Sequence, residues 1–151
     1  MNMNSKVSAL ETIENHPVIP VYYNDNLQTC LAVLSAVYAG GVRVFEFTNR
    51  GPAAIENFKA LLIQRDLEFP DLKLGIGTIK TADQASEYIS LGADFIVSPI
   101  VRQDIAKIAA EKDILWIPGC MTPTEINLAE ELGAPLIKLF PGDTLGPGFL
   151  K

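Results

Sequence analysis

Histidine occurs once in these 151 residues, at His16, and cysteine only twice, at Cys30 and Cys120. A lone histidine argues against a histidine-ligated zinc or a Ser-His-Asp triad, and His16, ahead of the first strand, is read as structural. Two distant cysteines are too few for a disulfide framework, so the expected compartment is a reducing cytoplasm. Long apolar runs are missing as well. The best are about five to seven residues, against the ~20 that a membrane-spanning helix takes. The opening Met1-Asn2-Met3-Asn4-Ser5-Lys6 has no apolar segment, and no secretory signal is expected. Positive charge is also scarce, with 12 Lys+Arg against 18 Asp+Glu and a net charge of −6. Nucleic acid needs a basic face and is not an expected partner, whereas a small anion can still find a locally positive pocket. No HExxH, CxxC or P-loop pattern occurs, so neither a metal nor a nucleotide cofactor is expected.

What the chain does have is apolar residues, at 48%, enough for a buried core and too many for a disordered chain. They fall into short runs at 18–22, 42–47, 72–77, 95–98, 114–117 and 136–140. Several are apolar at consecutive positions, as strands covered on both faces are. Amphipathic stretches alternate with them. An early helix spans 7–14. Leu27, Leu31, Leu34 and Tyr38 recur at helical spacing after an Asn24/Asp25 cap. Ile55, Phe58, Leu62 and Ile63 follow Pro52, and further helices are expected at 82–91 with Thr81 as cap, at 102–112, and from Thr122 or Thr124 to Leu132. Gly40-Gly41, Gly92 and Gly133 close helices just before strands, where a left-handed residue is needed.

Strands alternating with helices predict one parallel sheet with right-handed crossovers, and residues 1–151 are read as a single domain. Glu46, Thr78, Ser98 and Pro118-Gly119 sit at or just past the ends of successive strands, and Lys138 lies within the sixth. Candidate residues spread over five strands favour a (β/α)8 TIM barrel over an open sheet, which gathers them at one switch point. A full barrel takes about 250 residues. These residues are therefore expected to supply an N-terminal helix and about six βα units, without strands seven and eight.

Lys138 interrupts an apolar strand pattern, with apolar residues on both sides in Leu136-Ile137-Lys138-Leu139-Phe140. Desolvation disfavours an ammonium, and a neutral amine can add to a carbonyl to form a Schiff base. A structural ion pair, or a side chain reaching out at the strand end, explains the same context. Glu46 shares strand parity with Val42 and Val44 and is the matching acid or base. A buried Glu46–Lys138 salt bridge is the alternative, although such pairs stabilise poorly relative to apolar packing. Arg50 suits a bidentate grip on a carboxylate, or is plain surface. Gly75-Ile76-Gly77-Thr78 allows close backbone approach to a ligand beside a hydroxyl donor, and a tight packing corner explains its glycines nearly as well. Cys30 and Trp116 read as core, and Cys120 as an accessible loop thiol.

Taken together, Glu46-Phe47-Thr48-Asn49-Arg50, Gly75-Ile76-Gly77-Thr78, Ser98-Pro99, Ile117-Pro118-Gly119 and Ile137-Lys138-Leu139-Phe140-Pro141 resemble one family. It is the 2-keto-3-deoxy-6-phosphogluconate / 4-hydroxy-2-oxoglutarate aldolases, class I enzymes on a (β/α)8 barrel. The resemblance implies that Lys138 forms a Schiff base with a 2-keto acid and that Glu46 is the general acid/base. It implies that Arg50 and Thr78 hold the substrate carboxylate or neighbouring oxygens, while Pro99 and Phe140 line the pyruvate pocket. It implies no cofactor, a keto-acid substrate split into pyruvate and an aldehyde, and a homo-oligomer, commonly a trimer. The family's phosphate-binding loops follow strands seven and eight, which are not among these residues. The first strand's end, Pro20-Val21-Tyr22-Tyr23-Asn24, also lacks a basic residue that some relatives place there. A barrel fragment that binds a keto acid without catalysis, or assembles with other chains, is the competing expectation.

Overall fold

The computed structural model describes residues 5–150; the reading of Met1 to Asn4 lies outside the described residues. A helix α1 (Ser5–Asn15) precedes six βα steps. These run β1 (Val21–Tyr22), α2 (Leu27–Ala39), β2 (Val44–Thr48), α3 (Ala54–Glu68), β3 (Lys73–Gly77), α4 (Ala82–Leu91) and β4 (Phe95–Ser98). They continue as α5 (Gln103–Glu111), β5 (Leu115–Cys120), α6 (Pro123–Glu131), β6 (Lys138–Leu139), a one-turn α7 (Gly142–Leu145) and a 3₁₀ turn (Pro147–Leu150).

All neighbouring strands pair in parallel, in the order of the chain, β1-β2-β3-β4-β5-β6. An open doubly wound sheet reverses its order at a switch point, and this one does not. Its two faces are both apolar but distinct. Phe45, Phe47, Leu74, Ile76, Ile96 and Trp116 pack outward against the helices. Val44, Phe95, Val97, Leu115 and Ile117 point inward and meet Ala9 and Ile13 of α1, which closes the end where the strands begin. Strand alternation alone produces this division.

Local signals explain most boundaries. Thr81 caps α4 by accepting from Gln84 N, and Thr122 opens α6 with a capping box to Glu125 and Pro123 in the first turn. The cap of α2 is Asn26 rather than Asn24 or Asp25. Asn26 accepts from Thr29 N at 2.9 Å, while Asn24 turns the chain one step earlier by accepting from Asn26 N at 2.8 Å. Gly41, Gly92 and Gly133 have φ of +95°, +108° and +84°, as helix closure requires, and Asp113 takes the same role after α5 at +55°. The two end strands are shorter than their apolar runs. Each has one neighbour among the described residues, and Pro17 and Pro20 have no N–H to give to a ladder before β1. Strand β5 runs longer than expected, through Pro118 and Gly119 to Cys120. Parity then turns Cys120 into the helix layer, where it is 1% exposed. It is a core residue, not an accessible thiol.

Where α3 meets the start of the sheet, Asp94 accepts from Leu74 N at 2.8 Å and pairs with Arg65, with Lys73 4.0 Å away. Burial raises the pKa of Asp94, against the pull of Arg65 and the Leu74 N–H. No described helix is long and apolar enough to cross a membrane.

Candidate active site

Glu46 is the charged residue on the inner face of β2, between Val44 and Thr48, and it is 4% exposed. A side chain opposite would collide with it, but its neighbour strand presents Gly75 and Gly77 to the interior. A Cβ on Gly75 would stand 2.3 Å from the Phe95 ring, and one on Gly77 would overlap the Glu46 carboxylate. These glycines make room for two neighbouring side chains. The packing explanation of these glycines is the one these contacts support.

Lys138 reaches Glu46 from β6, with Nζ donating at 3.2 Å to Oε2 and 3.4 Å to Oε1. In a flat sheet β2 and β6 would be four strand spacings apart, about 19 Å. The contact therefore requires the sheet to curl into an arc, a half-barrel with both residues inside. Lys138 is less enclosed than its apolar flanks predict. About a third of its side chain (32%) is exposed against 6% for Glu46, and its amine is held by the carboxylate rather than sealed among Leu136 and Phe140. The Phe140 ring lies beside it, 5.7 Å from Nζ to the centroid. Burial pushes Glu46 above its ordinary value of 4.5, although the Lys138 charge and hydrogen bond, and the Arg50 charge, pull the other way.

The remaining candidates close around this pair. Arg50 follows β2 in an exposed loop and forms no ion pair with any described residue. Thr78 follows β3 with φ of +64°, a conformation that threonine rarely takes and that strained functional positions do. Pro99 follows β4, and its carbonyl lies against Gly119, where a Cβ would be 2.8 Å away. The hydroxyl of Ser98 belongs to the outer layer, donating to Ile100 O at 2.7 Å and accepting from Trp116 Nε1 at 2.8 Å. Lys138, Glu46, Arg50, Thr78, Pro99 and Phe140 all line one small cleft of about 30 Å³. An apolar hollow of about 460 Å³ continues from it into the arc, past Val97, Ile117 and Leu136. A larger concavity, about 760 Å³, lies between α5 and α6, where Arg102 is already paired with Asp104. Volume does not mark the site; convergent chemistry does.

Sequence reasoning missed Asn49 and Tyr88, which hold the loop ahead of Arg50 from behind: the Tyr88 hydroxyl donates to Asn49 Oδ1 at 3.0 Å. The only available signal was a tyrosine on the buried side of α4. Cys30 is buried in α2, donating to Asn24 O at 3.1 Å. His16 is exposed at the end of α1, away from the cleft.

Similar proteins identify the family of the chain. A family model described as "Aldolase: KDPG and KHG aldolase" matches residues 10–151. The 2-dehydro-3-deoxy-phosphogluconate aldolase of Dickeya dadantii (strain 3937) is 36% identical over 143 residues, covering 95% of this chain and 65% of its own length. The KHG/KDPG aldolase of Escherichia coli (strain K12) is 34% identical over the same share of both chains, 95% and 65%. The chain thus spans just under two thirds of the length of these curated relatives. Among solved structures, the 2-keto-3-deoxy-6-phosphogluconate aldolase of Zymomonas mobilis ZM4 with 3-phosphoglycerate superposes with a TM-score of 0.85 at 27% identity, covering 96% of this chain and 68% of its own. The KDPG aldolase from Legionella pneumophila, with pyruvate captured as a covalent carbinolamine intermediate, gives a TM-score of 0.82 at 30% identity, with 99% and 68% covered. By motif, fold and relatives alike, the chain belongs to the KDPG and KHG aldolase family.

Proposed function

We propose that this protein is a class I aldolase, a carbon–carbon lyase that works through a Schiff base on Lys138. The observation that carries the reading is the Lys138–Glu46 pair, 3.2 Å apart at the mouth of a cleft that also presents Arg50 and Thr78. The Legionella relative, captured with pyruvate as a covalent carbinolamine, supports it from outside the chain.

Lys138 Nζ adds to the C2 carbonyl of a 2-keto acid, and the carbinolamine loses its hydroxyl as water, with Glu46 supplying the proton. The protonated imine is an electron sink. When the C4 hydroxyl gives its proton to Glu46, the C3–C4 bond breaks, an aldehyde leaves, and the electron pair remains as an enamine. Protonation at C3 and hydrolysis of the imine release pyruvate and the free amine. A carboxyl raised by burial suits an exchange in which it both gives and takes a proton. Arg50 and Thr78 hold the substrate carboxylate or the oxygens beside it, and Pro99 and Phe140 flank the pyruvate portion. Two cleavages fit: 2-keto-3-deoxy-6-phosphogluconate to pyruvate and glyceraldehyde 3-phosphate, and 4-hydroxy-2-oxoglutarate to pyruvate and glyoxylate.

The same reading takes the described arc as six strands of a (β/α)8 barrel forming a single domain. It takes the working form as a cytoplasmic homo-oligomer, a trimer by family analogy. The decisive experiment is borohydride reduction in the presence of pyruvate, followed by peptide mass mapping. The adduct is expected on the Lys138 peptide and absent in Lys138→Met. Pyruvate binding without an adduct would replace catalysis with simple keto-acid binding.

A further inference from the structure

Asn49 stands between Thr48, the last residue of β2, and Arg50. Its backbone N–H donates to the Gly77 carbonyl at 2.9 Å, and its side-chain Oδ1 accepts from the Tyr88 hydroxyl at 3.0 Å. Gly77 leads directly into Thr78 and its left-handed backbone. One residue thus joins the loop that carries Arg50, the strand end that carries Thr78, and helix α4. We propose that Asn49 and Tyr88 are positioning residues, which hold Arg50 and Thr78 at a fixed spacing so that they grip the carboxylate of a 2-keto acid together.

The proposal rests on the reading that Arg50 and Thr78 hold the substrate. Neither Asn49 nor Tyr88 lines the cleft, so their effect passes through the backbone. The need for such a brace is visible in Arg50, which is exposed and has no described ion-pair partner to orient it. Tyr88 is a firm anchor. It is 2% exposed, and its ring meets Phe58 edge-on at 5.3 Å and 80°. Burial pushes its hydroxyl up to about 12, so it remains a donor at any working pH. Groups held in place before the substrate arrives bind it without a further loss of loop freedom, and that gain appears in the half-saturating concentration.

Tyr88→Phe removes the hydroxyl and keeps the ring; Asn49→Ala removes the acceptor. With pyruvate and borohydride, each is expected to raise the half-saturating pyruvate concentration about three- to tenfold, the effect of one hydrogen bond. The adduct yield at saturating pyruvate stays at the parent level, and the double variant is no weaker than the weaker single one. Hydrogen exchange at the Asn49 amide is expected to speed up in Tyr88→Phe, because Asn49 is no longer held against the Gly77 carbonyl. A purely structural role would lower the melting temperature and leave the half-saturating concentration alone, which overturns the proposal, as would strictly additive effects or an unchanged Asn49 amide. If the parent protein itself forms no adduct, the aldolase reading falls and this inference falls with it. An adduct in the parent with unmoved half-saturation in both variants removes this inference alone.

Discussion

Gly77 and Glu46 compete for the same space: a Cβ on residue 77 would stand 1.9 Å from Glu46 Oε1 and 2.7 Å from its Cδ. The carboxylate that pairs with Lys138 therefore lies where it does because the adjacent strand carries no side chain at that point. Gly77→Ala is expected to fold, since the displaced atoms are the tip of a side chain, but to push the carboxylate away from Lys138. The rate of pyruvate trapping should fall about 10²-fold, at the low end of what a positioned acid–base group contributes. Single-turnover borohydride trapping measures it. Trapping at the parent rate would separate Glu46 placement from imine formation.

The pH dependence follows from the same carboxyl. Its pKa lies above 4.5 because burial outweighs the attraction of Lys138 and Arg50. The limb of the cleavage rate in which ionised Glu46 takes the C4 hydroxyl proton should rise as pH passes upward through that raised value. Arg50→Met removes one cation that favours the carboxylate, so the limb should move to higher pH. Stability carries the opposite slope. A carboxyl whose folded pKa exceeds its unfolded one opposes folding once ionised, so stability falls as pH rises from about 4.5 through the folded-state value. Thermal melts of Glu46→Gln across that range should lose this component; an unchanged slope would assign it to another group.

Thr48 Oγ1 is buried with no hydrogen-bond partner among the described residues. Thr48→Val keeps the shape and removes an unpaired polar atom, so the protein should become more stable by up to about 1 kcal/mol. Urea titration of both forms decides it. A loss of stability would mean that the hydroxyl finds a partner in solution.

Arg65 and Asp94 form the most enclosed ion pair between a helix and the sheet, with side chains 13% and 22% exposed. Arg65→Met leaves the partly buried carboxylate without its main partner. The expected cost is about 3 kcal/mol, near the lower end for breaking such a pair because Asp94 retains some water. Denaturant unfolding at neutral pH measures it. A change below about 1 kcal/mol would class the pair with ordinary surface bridges.

Much of the site was legible because strand chemistry is local. An apolar strand interrupted by one charge, as at Glu46 or Lys138, puts that charge on a known face by alternation alone. The helix starts at Thr81 and Thr122 were legible for the same reason, since a cap needs only residues within one turn. The misreadings arose where the answer depended on what lay opposite. Pro118-Gly119 resembles a turn and puts Cys120 in a loop, yet pairing of Gly119 with Lys138 and Cys120 with Leu139 keeps the strand going. Gly75 and Gly77 leave packing and ligand approach both open in the sequence because Phe95 and Glu46, the residues they accommodate, lie on other strands.

By itself, then, the order of residues determined the alternation of strand and helix, the two apolar faces, and which side chains could do chemistry, because each depends on neighbours a few positions away. Only the curled sheet decided that Lys138 and Glu46 meet, 92 positions apart in the chain. It also decided that Asn49, silent in the sequence, spans two loops and a helix. Those contacts depend on the curvature of the whole sheet, which no short stretch of chain encodes.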